Sequence, residues 1–210
     1  MNNKNRGKFI AFEGIDGSGK STQIQLLSEK LLEEKIYFYT TMEPTDSPIG
    51  SLIHQIMTGR IKTDNKVIAG LFVADRLDHL LNDVNGIIGK INEGITVISD
   101  RYYFSSYAYH SIDMPMEWVI KANSQSSALL KPTVTVFIDV DPDVAVERIA
   151  KNRYQKELFE KKSRLIKVRE KYYEAFDKLK DEEKVIIIDG NRSVSEIADD
   201  IWKEVAHYFE

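Results

Sequence analysis

Apolar and polar residues fall along the chain in blocks of two kinds. Short, nearly continuous apolar runs stand at residues 8–13, 36–41, 95–99, 134–140 and 184–188. Runs of that length predict buried strands. Between them the apolar positions take helical spacing. Residues 23–34 carry Ile24, Leu27, Leu31 and Leu32 on one face, and the same period predicts helices over 51–57, 67–91 and 193–209, with another opening at Asp143. Pro44 and Pro48 interrupt the chain after the second strand. A charged stretch follows Lys151, and its part from Arg164 to Lys180 reads as a solvated, salt-bridged helix. Strands alternating with helices imply an α/β fold, a parallel sheet covered on both faces. No repeat, low-complexity tract or linker divides the sequence, so residues 1–210 are expected to form one domain.

Ligands collect at the carboxyl ends of strands in such sheets. The first strand runs into Gly14-Ile15-Asp16-Gly17-Ser18-Gly19-Lys20-Ser21, followed by Thr22 and a helix. This is the full P-loop pattern in its proper context. Its glycines let backbone N–H groups turn toward phosphate oxygens, and the helix N-terminus adds positive potential. Lys20 can reach the β- and γ-phosphates of a nucleotide, and Ser21 can ligate Mg²⁺. The architecture is therefore expected to be a P-loop NTPase-type three-layer α/β/α fold with a five-stranded parallel sheet.

The acceptor of the phosphoryl group must be read elsewhere. Asp16 inside the loop either binds Mg²⁺ or a substrate hydroxyl, or sits on the outer side as a turn-favouring residue; the residues alone leave both open. Asp100-Arg101-Tyr102 closes the third strand. Asp100 suits water-mediated Mg²⁺ binding and Arg101 can fork onto a phosphate, although a surface ion pair would read the same way. Phe72 and Arg76 stand four apart in a helical stretch, where a ring and a planar donor can stack on a base and read its edge. A core Phe and a solvated Arg would give the same spacing.

Taken together these segments resemble the thymidylate kinase family. Residues 12–22 resemble its phosphate loop, Leu71-Phe72-Val-Ala-Asp-Arg76 its thymine-binding helix, and Asp100-Arg101-Tyr102 with Ser105-Ser106-Tyr107-Ala108-Tyr109 its signature after the third strand. Lys131-Pro132 and Ile138-Asp139-Val-Asp-Pro142 resemble its fourth strand. The resemblance implies MgATP as donor and dTMP as acceptor. It places Phe72 and Arg76 on thymine, Arg101 on the acceptor phosphate, Ser105 and Ser106 nearby, and Tyr109 where a ribose 2′-hydroxyl would sit. Asp16 would contact the 3′-hydroxyl, Mg²⁺, or both. A short helical lid over residues 148–162 would bring Arg148 and Arg153 to ATP. The sequence departs from the family at three points: Gly17 stands where some members carry Arg, His110 where Gln is common, and Met42 where Arg is frequent. With no cation in the loop, the resemblance shifts catalytic charge to the lid, Arg153 first. It also implies a homodimer, with the helices of residues 67–91 as the contact surface.

Composition trims the alternatives. There is no cysteine, which excludes disulfides, thiolate metal sites and cysteine nucleophiles and suits a reducing cytoplasm. The net charge of -4 argues against a broad nucleic-acid surface, and the longest apolar runs are too short to cross a membrane. The polar first eight residues read as a disordered lead-in without a signal peptide. Two rival functions remain at this level: a different P-loop kinase, either a deoxynucleoside kinase using Glu43 as base or another nucleoside monophosphate kinase, and a nucleotide-binding regulatory protein with little turnover.

Overall fold

The computed structural model describes residues 6–152 and 162–209. Among them, strands β1 (Phe9–Glu13), β2 (Phe38–Met42), β3 (Thr96–Asp100), β4 (Val134–Asp139) and β5 (Val185–Asp189) form one sheet in the order β2-β3-β1-β4-β5. Every pairing is parallel. β1 lies at the centre and all its residues are buried, as a strand covered on both faces requires. Phe9 and Ala11 turn to one apolar layer, Ile10 and Phe12 to the other.

Helices α1 (Lys20–Glu33) and α10 (Val194–Val205) cover the second layer, sending Ile24, Leu27, Leu31, Ile197 and Ile201 onto it. The Ser193 side chain and Glu196 form a reciprocal capping box that fixes where α10 starts. Helix α2 (Pro48–Met57) begins on a Ser47 cap with proline in its first turn, and α3 (Asn65–Leu81) on Asp64, whose side chain accepts from the Lys66 N–H at 2.8 Å.

The expected single helix over 67–91 is two. α3 ends at Leu81 and α4 (Ile87–Asn92) starts afresh. Between them Asn82, Asp83, Asn85 and Gly86 supply turn chemistry, and a Cβ on Gly86 would lie 2.4 Å from the Asn82 carbonyl oxygen. Helices α5 (Tyr103–His110), α6 (Met116–Ala122) and α7 (Ser124–Leu129) follow β3 without having been foreseen. α5 is buried all round, so its sequence shows no amphipathic stripe. Helix α8 (Pro142–Asn152) leads away from β4, and α9 (Lys162–Leu179) returns. α9 corrects the solvated-helix expectation: Leu165, Val168, Tyr172, Ala175 and Phe176 enter the core, where Phe176 packs edge-on to Phe104 of α5 and Phe137 of β4. Its polar face does carry ion pairs, Arg164 to Asp113 and Lys178 to Glu117.

Candidate active site

The carboxyl ends of β1 and β3 open on a cleft of about 610 Å³. The P-loop forms its floor. Gly14, Gly17 and Gly19 hold φ of 149°, 80° and 98°, values that side chains resist. Gly17 is further constrained because a Cβ would meet the Ala145 carbonyl oxygen of α8 at 2.5 Å. With α8 packed directly on the loop there, a side chain at this position would have to displace it.

Lys20 is buried and folds back, donating to the carbonyls of Gly14 at 3.1 Å and Ile15 at 3.3 Å. Burial, together with the charge of Arg101, lowers its pKa to about 8. Arg148 of α8 donates to the Ser18 carbonyl at 3.3 Å and the Gly190 carbonyl at 3.0 Å, closing the loop from above. Arg153 and the rest of the expected lid to residue 161 lie outside the described residues.

Ser21 Oγ donates to Asp100 Oδ2 at 3.0 Å, and Asp100 Oδ1 is buried without a partner. A hydroxyl beside a carboxylate with a spare oxygen suits Mg²⁺ held mainly by phosphates and water. Among the described residues no cluster of His, Cys, Asp or Glu offers a complete protein cage.

Arg101 has a left-handed φ of 74°. Its guanidinium donates to the Gly14 carbonyl at 3.2 Å and Ser105 Oγ at 3.0 Å, and pairs closely with Asp16. The Asp16 N–H donates to Tyr109 Oη at 3.1 Å, while Arg101 lies 5.0 Å from that ring's centre. Asp16, Arg101, Ser105 and Tyr109 are thus brought into one constellation on the cleft wall.

Phe72 and Ser106 also line the cleft, Ser106 with its buried Oγ unpartnered. Arg76 goes elsewhere. It is 1% exposed and donates from Nε to Glu43 at 2.8 Å, with Nη1 on Asn123 and Nη2 near the Tyr102 carbonyl at 3.3 Å. Glu43 also meets His79 Nδ1 at 3.2 Å, so the carboxylate that a nucleoside kinase would need as base is held in a buried ion pair with Arg76. The ring beside Phe72 is instead His110, with centroids 5.1 Å apart and planes at 60°. Burial, with Arg76 and Arg164 nearby, lowers the His110 pKa to about 3, so the ring is neutral. Its spacing of four from Ser106 was the available signal for a shared helix face.

A strand–P-loop–helix unit with cations and an aromatic slot around one cleft, on a parallel sheet of this order, defines a P-loop kinase of the α/β class. The thymidylate kinase family model matches residues 12–201. The chain is 39% identical over 194 residues to the probable thymidylate kinase of Methanocaldococcus jannaschii, covering 92% of this chain and 93% of that protein. It is 35% identical to the thymidylate kinase of Ligilactobacillus salivarius (92% and 95% covered) and 34% identical to that of Plasmodium falciparum (96% and 91% covered). The chain belongs to the thymidylate kinase family.

Proposed function

We propose that the chain transfers the γ-phosphoryl group of MgATP in line to the 5′-phosphate of dTMP, giving dTDP, as a cytoplasmic homodimer. The observation that carries this is the joining of the P-loop, Arg101, Tyr109 and Phe72 in one cleft. An acceptor phosphate is already an oxyanion, so positioning and charge stabilisation suffice and no general base is required. The burial of Glu43 against Arg76 and His79 agrees with that and disfavours a nucleoside acceptor.

In this reading the loop N–H groups and Lys20 hold the ATP phosphates, and Arg148 braces the loop. Ser21 and Asp100, with Asp16 in reach of the acceptor, would hold Mg²⁺, which when bound supplies charge neutralisation between the phosphates. Arg101 receives the acceptor phosphate. Phe72 stacks on the thymine, Ser106 and neutral His110 offer hydrogen-bonding atoms to its edge, and Tyr109 fills the space of a ribose 2′-hydroxyl. Arg153, which the family resemblance brings to the lid, would supply the cation over the transferring group.

The homodimer reading rests on α3, where Val67, Leu71, Ala74 and Leu81 repeat at heptad spacing. Val67 is 50% and Leu81 54% exposed, which a partner copy would cover. Light scattering should return twice the chain mass of 24.1 kDa; a monomer would remove this part. No helix among the described residues is long and apolar enough to cross a membrane, and the absence of cysteine suits the cytoplasm. A coupled assay over nucleoside monophosphates tests the reaction: dTMP should be preferred over dCMP, dGMP and UMP. Equal use of all four would sink the base-reading role, and preference for thymidine over dTMP would return the nucleoside kinase.

A further inference from the structure

Glu13 ends β1 directly before the P-loop and is wholly buried. A buried carboxylate persists only where hydrogen bonds or charge compensate it. Around Glu13 the compensation is complete and specific. Oε1 accepts from the backbone N–H of Tyr102 at 2.8 Å and of Ser105 at 3.1 Å. Oε2 accepts from Ser105 Oγ at 2.6 Å and Tyr172 Oη at 2.8 Å. Burial pushes its carboxyl above the usual range, while the Ser105 bond, the Arg101 charge and the Tyr172 bond pull it back.

Glu13 and Tyr172 stand behind the cleft wall and Ser105 lies in it, and each touches the segment that carries Arg101. The two N–H groups fix the entry to α5 immediately after the left-handed Arg101. Ser105 Oγ passes the anchor on, accepting from Arg101 Nη1 at 3.0 Å. Tyr172 comes from α9, which continues after the 153–161 segment, and also lies 2.9 Å from Ser105 Oγ.

We infer that Glu13, Ser105 and Tyr172 are positioning residues that aim the Arg101 guanidinium at the acceptor phosphate, with Tyr172 making that aim depend on the seat of α9. The inference rests on the reading of Arg101 as the phosphate-binding cation. A supporting network of this kind matters because a guanidinium held loosely loses its directional hydrogen bonds first. It therefore predicts a selective defect. Groups that position only Arg101 affect ligands that carry a phosphate and leave the nucleoside alone.

The test is calorimetric binding of dTMP, thymidine and ATP to the full chain and to Tyr172→Phe, Arg101→Lys and the double variant. Tyr172→Phe should weaken dTMP roughly tenfold while thymidine and ATP stay within about twofold. In the Arg101→Lys background the same substitution should add little. Equal weakening of dTMP and thymidine, no weakening of either, or full additivity in the double variant would overturn the inference. Arg101→Lys that leaves the ratio of dTMP to thymidine affinity unchanged would instead overturn the Arg101 reading, and the inference with it. Ser105→Ala is the second variant should Tyr172→Phe fail to fold, with the same selective loss expected and the same overturning outcome.

Discussion

The two sides of the cleft are built on different plans. In the proposed reading the donor side is one continuous stretch from Gly14 to Thr22, and most of the groups that would face phosphate belong to the backbone or to Lys20 and Ser21 within it. The acceptor side draws on β1, α3, α5, α9 and the loop after β2, brought together by buried polar contacts such as Arg76 with Glu43 and Tyr172 with Glu13. Backbone chemistry needs only a local sequence to specify it. Side-chain chemistry spread over five segments needs the whole fold, so it is also where the fold's stability is most exposed to substitution.

The largest effect expected from that contrast is on stability, and on the acceptor side. Arg76→Leu would leave Glu43 buried beside His79 without its guanidinium. Breaking one partner of a buried pair costs about 3–5 kcal/mol. Thermal unfolding should show it, and Glu43→Gln added to Arg76→Leu should recover part of the loss rather than deepen it. A drop in melting temperature no larger than that of an exposed-arginine control would show the pair to be dispensable. The donor side should respond in the opposite manner. Lys20→Met removes a buried charge and its own desolvation, so the fold should hold while kcat falls about 10²–10³-fold, the usual effect of one preorganised donor. Loss of folding in that variant would erase the distinction between the two sides.

The same contrast decides how far the sequence could be read. The sheet, its strands and the P-loop followed from apolar runs and one motif, because buried parallel strands and a phosphate loop are each encoded locally. Helix α5 was hidden by its own burial: every residue from Tyr103 to His110 is buried, the polar Ser105, Ser106 and His110 with the aromatic ones, so no alternation of polar and apolar faces marks a helix. The split between α3 and α4 is masked by apolar residues that keep helical spacing on both sides of the Asn82 to Gly86 turn. Phe72 and Arg76 share a helix spacing, but Arg76 was drawn to Glu43 across thirty-three positions of chain, a contact no spacing rule contains. Glu13 and Tyr172 gave no local signal because their meaning lies in each other.

Gly17 and Gly19 offer an intermediate effect inside the donor loop. Both hold positive φ, so alanine strains the backbone at either. At Gly17 the new Cβ also meets the Ala145 carbonyl oxygen at 2.5 Å, whereas at Gly19 the nearest atom is 4.0 Å away. Gly17→Ala should therefore lose about 1–3 kcal/mol more than Gly19→Ala, the range for overpacking a fitted contact. Denaturant midpoints would report it. Equal losses would mean that α8 yields freely at that contact.

The smallest effects concern protons, and they separate the two sides most cleanly. Lys20 carries a lowered pKa of about 8, and a bound phosphate favours its charged form. ATP affinity is therefore full below that value and declines as pH rises through it, at most about tenfold per unit. His110 behaves in the contrary way. Its folded value of about 3 lies below the ordinary 6.5, so the neutral ring persists through the pH range where a free histidine titrates. Whatever stability neutrality lends is present above 6.5 and is lost as pH falls toward 3. Thymidine, which has no phosphate of its own to titrate, should thus bind with unchanged affinity between pH 5 and 8. A break near 6.5 that disappears in His110→Gln would mean that the ring is open to water and that the base slot beside Phe72 is formed only when the acceptor arrives.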